Sequence, residues 1–134
     1  MIEKIKKIII LGGGQTAAYA SKAIRAIDKQ SQVTIISEEK SLPYEKPPLS
    51  KDYILNKIAF KKILFFQNKF YKENNINIIT DEKITKADIN NNALTSSKNN
   101  NFNYDHLLIA TGSSNRKINI ENLNAKIEEE LMYL

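Results

Sequence analysis

KKIIILGGGQTAAYASKAIRAIDKQSQVTII, residues 6–36, is the stretch on which the fold turns. Lys6 to Leu11 is a short β-branched run that breaks off in three glycines, as a buried parallel strand does where it enters a tight turn. Gln15 to Asp28 then places Ala17, Ala20, Ala23, Ile24 and Ile27 at three- and four-residue steps. That spacing predicts a helix with one small-residue face lying close to a sheet. Val33 to Ile36, apolar apart from Thr34, predicts a second buried strand. Strand, helix and strand in this order make a βαβ unit with a right-handed crossover, and so an α/β protein.

The turn between the first strand and the helix reads Gly12-Gly13-Gly14-Gln15-Thr16-Ala17, a G-x-G-x-x-A pattern. In the dinucleotide-binding use of that pattern Gly12 permits the tight turn, Gly14 lets the backbone approach a pyrophosphate, and Ala17 lets the helix pack closely. The helix N-terminus then offers unpaired N–H groups and partial positive charge to phosphate. A strand-to-helix turn in any α/β protein also uses glycine for geometry alone. What favours the dinucleotide reading is context: Glu38 stands just past the second strand, where a carboxylate accepts hydrogen bonds from the hydroxyls of an adenosine ribose. Glu38 is the nearer to the strand end, but Glu39 is adjacent, and an ordinary solvated glutamate remains the other reading for either.

Outward from this unit, Leu42 to Lys51 reads Leu-Pro-Tyr-Glu-Lys-Pro-Pro-Leu-Ser-Lys, whose prolines forbid a regular helix or central strand up to Pro48. A helix is expected from about Leu49 or Ser50. A second short one is expected over Phe65 to Asn74, followed by a strand over Ile76 to Thr80. Lys83 to Phe102 alternates in short apolar steps between asparagine clusters, which predicts a small antiparallel meander. A last apolar strand runs from His106 to Thr111. His106 reads as a strand-edge residue, since general-base chemistry needs a partner the sequence does not show.

Composition narrows the function. The 134 residues have room for one core and not for two dinucleotide-binding domains. There is no cysteine and only one histidine, so a zinc cage, a disulfide framework and a redox thiol pair are excluded, and redox chemistry requires a bound cofactor. The net charge is +5, yet the lysines are scattered among asparagines and isoleucines, which argues against a nucleic-acid surface. The apolar run Ile8 to Leu11 is too short for a membrane span or a secretory leader, so a cytoplasmic protein without membrane partners is expected.

Taken together, the glycine turn, Ile36-Ser-Glu-Glu39 and above all Pro47-Pro-Leu-Ser-Lys51 resemble the start of the FAD-dependent ferredoxin, rubredoxin and putidaredoxin reductases. Dioxygenase reductase components and apoptosis-inducing factor share the pattern. Phe70-Tyr71, Ile76 to Ile79, Ile84 with Asp88, and Tyr104 to Gly112 continue the likeness over nearly the whole chain. The resemblance implies a Rossmann-like FAD-binding βαβ domain with a small antiparallel β-meander, incomplete at the C-terminus. By likeness, residues 1–118 are the N-terminal part of the FAD-binding domain and 119–134 lead toward an NAD(P)H-binding domain.

The resemblance also implies site residues. Lys46 stands where the family usually has arginine and would screen the FAD pyrophosphate, keeping charge but losing the bidentate fork, and Pro47 beside it matches a cofactor-site position. Lys51 matches a lysine near the reactive edge of the flavin. Ile84 packs at the adenine, Ala110-Thr111-Gly112 match a turn beside the cofactor, and Arg116 matches an arginine that reaches the FAD. Asn115 replaces the proline before that arginine, and Asp81 replaces a glycine.

The implied activity is hydride transfer from NAD(P)H to FAD and onward electron transfer to a ferredoxin- or rubredoxin-like acceptor. The absence of a Cys-x4-Cys pair sets the chain apart from the glutathione-reductase branch. No second glycine fingerprint precedes Leu134, so a truncated product is expected, with NAD(P)H relevant only to a full-length version. A non-catalytic nucleotide-binding or apoptosis-inducing-factor-like interaction module is the alternative.

Overall fold

The computed structural model describes residues 5–114. Its frame is a four-stranded, all-parallel sheet in the order β3-β2-β1-β7, built from β1 (Lys7–Leu11), β2 (Gln32–Ile36), β3 (Ile76–Ile79) and β7 (His106–Ile109). Lys7 is opposite Gln32, Val33 opposite Ile76, and Ile8 opposite His106. A second, antiparallel sheet carries β4 (Ile84–Asp88), β5 (Ala93–Ser96) and β6 (Asn101–Asn103) as a meander.

β1 is covered on both faces, which is why it reads as an unbroken apolar run. Ile10 joins Val33, Ile35, Ala17, Tyr71 and Ile76 in one buried cluster beneath α1 (Gln15–Ile27) and the short α2 (Asn68–Glu73). Ile9 joins Ile36, Leu94 and Tyr104 in another, where the meander packs on the opposite face. The asparagines have a backbone role as well: Asn75 (φ 50°), Asn92 (φ 49°) and Asn99 (φ 63°) take left-handed conformations at turns, which asparagine tolerates better than branched residues do.

Two expectations need correction. The face expected on α1 is found in part: Ala17 is buried and Ala20 and Ile24 pack against the core, but Ala18, Ser21 and Arg25 complete the buried line, Ala23 is exposed and Ile27 is 88% exposed. Polar groups sit on the buried line because each finds a partner there: the Ser21 hydroxyl donates to the Ala18 carbonyl oxygen at 2.8 Å, and Arg25 donates to three carbonyls. Nor does a regular helix begin at Leu49. Pro47–Ser50 form a single 3₁₀ turn, and irregular turns continue to Asn56, itself left-handed at φ 55°. Residues 50–57 are all exposed, and Ile54 and Leu55 have no core to cover them, so nothing offsets the cost of nucleating a helix.

Asp81, at the expected glycine position, is also left-handed (φ 55°). Its carboxylate is 2.9 Å from the Lys98 ammonium, which pulls its pKa below the ordinary aspartate value and ties the β3–β4 connection to the β5–β6 turn.

Candidate functional site

The carboxyl ends of β1, β2 and β7 open into a cleft of about 600 Å³ that the N-terminus of α1 also faces. Open parallel sheets place ligands at this end of the strands. Backbone bonds brace the rim: Gly12 N–H to Ile36 O (2.8 Å), Ala110 N–H to Leu11 O (2.8 Å) and Ser37 N–H to Ile79 O (2.9 Å).

The three glycines have three different reasons to be glycine. Gly12 has φ +123°, and a Cβ there would lie 2.1 Å from the Ala110 carbonyl oxygen. A Cβ on Gly13 would lie 2.3 Å from Ser37 Oγ, a contact the sequence pattern did not reveal. Gly14 differs from both: its φ of −94° suits any residue, and a Cβ would meet no atom within 4 Å. Nothing in the protein itself requires glycine at that position. Gly14 is also the N-cap of α1, supplies no capping side chain, and is followed by a first turn without carboxylates. The positive helix end and its unpaired N–H groups are thus left for an anionic ligand.

The structure brings Gly12, Gly13, Gly14, Gln15, Thr16, Glu38, Lys46, Ile84, Ala110, Thr111 and Gly112 to this one cleft. Ala17 is fully buried behind the glycine turn, where it lets α1 approach the sheet. Gly112 takes φ +74°, a left-handed conformation that favours glycine. Pro47 and Lys51 are exposed and do not line the cleft, His106 is exposed at the start of β7, and Arg116 and Asn115 lie outside the described residues.

Two adjacent carboxylates at the end of β2 diverge. Glu38, with its side chain 63% exposed, lies 3.5 Å from Lys83. Glu39 is 33% exposed, accepts a 2.6 Å hydrogen bond from the Tyr44 hydroxyl and lies 3.1 Å from the Lys46 ammonium. Partial burial pushes the Glu39 carboxyl up, but the Tyr44 and Lys46 contacts together outweigh it and leave its pKa below the ordinary glutamate value. Burial, with the Glu39 carboxylate, pushes the Tyr44 hydroxyl up to about 12.

A third carboxylate, Glu82, was not singled out by sequence, because an isolated glutamate before a strand reads as surface. It is buried, and its N–H donates to Ser37 O at 2.9 Å. Hydrogen bonds from Ser96 and from Asn100 Nδ2 (2.8 Å) hold its pKa below the usual 4.5. A depressed carboxylate stabilises the fold above its unfolded pKa, and that contribution is lost as pH falls through the folded value. Glu82→Gln is therefore expected to flatten the loss of melting temperature between about pH 6 and about pH 3. An unchanged acid limb would show that Glu82 titrates normally.

Residues 6–133 match the family model described as pyridine nucleotide-disulphide oxidoreductase. The chain is 39% identical over 117 residues to an NADH-rubredoxin oxidoreductase of Clostridium acetobutylicum, covering 87% of this chain and 30% of that protein. It is 36% identical to the cytosolic monodehydroascorbate reductase 4 of Oryza sativa subsp. japonica, covering 94% and 32%. Among solved structures it resembles a ferredoxin reductase for the CYP199A2 system from Rhodopseudomonas palustris, with a TM-score of 0.78, 27% identity, and coverage of 86% and 28%. The chain thus spans about a third of the length of the curated relatives it matches.

Proposed function

The chain belongs to the pyridine nucleotide-disulphide oxidoreductase family, and from that premise we propose that its cleft holds the adenosine-diphosphate end of FAD. On this reading residues 1–118 are the FAD-binding portion of an NAD(P)H-dependent flavoprotein oxidoreductase, and 119–134 lead toward its NAD(P)H-binding domain. The electron acceptor we assign is a ferredoxin- or rubredoxin-like protein, the kind that the names of two relatives imply. We place the protein in the cytoplasm; no helix among the described residues is long and apolar enough to cross a membrane.

The observation that carries the proposal is Gly14, open on its Cβ side at an uncapped helix end while both neighbouring glycines are closely packed. N–H groups of the glycine turn and first helical residues hold the diphosphate, and Glu38 accepts the ribose hydroxyls. Ile84 packs at the adenine, Ala110-Thr111-Gly112 flank the cofactor, and Lys46 lies at the phosphates. Pro47, Lys51 and Arg116 are assigned to the remainder of the cofactor by family likeness. When bound, flavin supplies hydride uptake from nicotinamide and single-electron delivery, and the protein's part is to hold and orient it.

Titrating the purified chain with ADP and with FAD by calorimetry tests this. Saturable one-to-one binding of both is expected, and no binding of either at ~1 mM would refute it. Glu38→Gln is expected to weaken ADP about 10-fold, or about 1.4 kcal/mol, through loss of charge-assisted bonds to the ribose. An unchanged affinity would remove Glu38 from the site.

A further inference from the structure

We propose that Glu39 is the counter-ion of Lys46 and not a ribose ligand, and that a bound diphosphate takes over the Lys46 ammonium from it. The inference rests on the nucleotide reading of the cleft and separates the two neighbouring carboxylates into opposite roles.

The cleft is lined by charges of both signs. Glu38, Glu39 and Glu82 line it against Lys46 and Lys83, so its side chains are net negative although its proposed ligand is an anion. Glu82 is engaged with Ser96 and Asn100. Glu38 stays 63% exposed and has only a 3.5 Å contact with Lys83, so it has oxygen lone pairs to offer ribose hydroxyls. Both Glu39 oxygens are committed: Oε2 accepts from Tyr44 at 2.6 Å, and Oε1 faces Lys46 at 3.1 Å.

The Glu39–Lys46 pair is not needed to place the loop. Backbone bonds already fix it, from Glu45 N–H to Ile63 O (2.8 Å) and from Phe65 N–H to Pro43 O (3.1 Å), with Tyr44 bridged to Leu64. The Glu39 backbone is held separately, since the Asp81 N–H donates to its carbonyl oxygen at 3.0 Å. What the Glu39 side chain adds is charge neutralisation of an exposed lysine at the rim. An ammonium has three donors and no fixed plane, so it can turn from a carboxylate to a phosphate without moving its backbone. Until it does so, Glu39 competes with the ligand for it.

The test is a double-mutant cycle on ADP affinity, measured by calorimetry on the full chain. Glu39→Gln keeps an oxygen for the Tyr44 hydroxyl and removes the charge, and is expected to tighten ADP roughly 3- to 10-fold. Lys46→Gln is expected to weaken ADP at least ~3-fold more in the Glu39→Gln background than in the wild type. If circular dichroism shows that Glu39→Gln does not fold, Glu39→Asp, which draws the carboxylate back from Lys46, should tighten ADP in the same direction by less. Unchanged or weaker binding in the folded glutamate variant, or equal Lys46→Gln losses in both backgrounds, overturns the proposal. Failure of the wild type to bind either ADP or FAD instead refutes the nucleotide reading beneath it.

Discussion

Gly14→Val is expected to abolish nucleotide retention while leaving the fold intact. The new side chain enters open space and meets no protein atom within 4 Å of its Cβ, and the backbone angles suit valine. Its cost to the free protein is that of a poorer N-cap, about 0.5–1 kcal/mol. In the complex the same atoms stand between the helix end and the diphosphate. Losing two charge-assisted N–H bonds at about 1.5 kcal/mol each removes about 3 kcal/mol, or roughly 100-fold in ADP or FAD affinity. Gly12→Ala should do the reverse of this and damage the fold first. Its Cβ would be 2.1 Å from the Ala110 oxygen and 2.6 Å from the Ala110 carbonyl carbon, at φ +123°. Strain and overpacking together put that cost at about 3 kcal/mol or more. Far-UV circular dichroism and calorimetry on the two variants separate the effects. A Gly14→Val protein that binds ADP like the wild type would sink the assignment of this turn.

The difference between the two glycines shows what was legible in the sequence. The G-x-G-x-x-A pattern, the apolar strands around it and the asparagine-rich meander are local signals, and each element formed near its expected place. Facts that depend on how the chain folds back on itself stayed hidden. Gly13 must be glycine because of Ser37, Glu82 is buried because residues 96 and 100 return to it, and Glu39 differs from Glu38 because Tyr44 and Lys46 reach only one of them. Hydrophobic periodicity also found only part of the buried face of α1: Ala17, Ala20 and Ile24 pack against the core, Ala23 and Ile27 do not. It scores apolar residues, and the buried line includes Ser21 and Arg25, whose polar groups are satisfied internally. The stretch after Pro48 failed as a helix for the complementary reason: favourable local residues had no core to pack against.

Arg25 is the site of a large stability loss expected away from the cleft. It is 4% exposed, in the last turn of α1. Its guanidinium donates to the carbonyl oxygens of Asn74 (2.7 Å), Asn75 (2.8 Å) and Asp28 (3.1 Å). Asn74 is the C-cap of α2, so one cation serves the carbonyl ends of two helices, where positive charge is favourable. It also fixes the left-handed Asn75 through which the chain turns into β3. Arg25→Met keeps much of the apolar stem but strands these part-buried carbonyls, at a cost of about 3 kcal/mol. Arg25→Lys should recover less than half of that loss, because a single ammonium cannot reproduce a planar fork aimed at separate carbonyls. Urea denaturation reads both values, and hydrogen exchange should locate the loosening in α2 and β3. Arg25 does not line the nucleotide cleft, so ADP affinity measured well below the melting temperature should stay within about 2-fold of wild type. A loss below about 0.5 kcal/mol in Arg25→Met, or full rescue by lysine, would mean that the fork does not hold the two helix ends together.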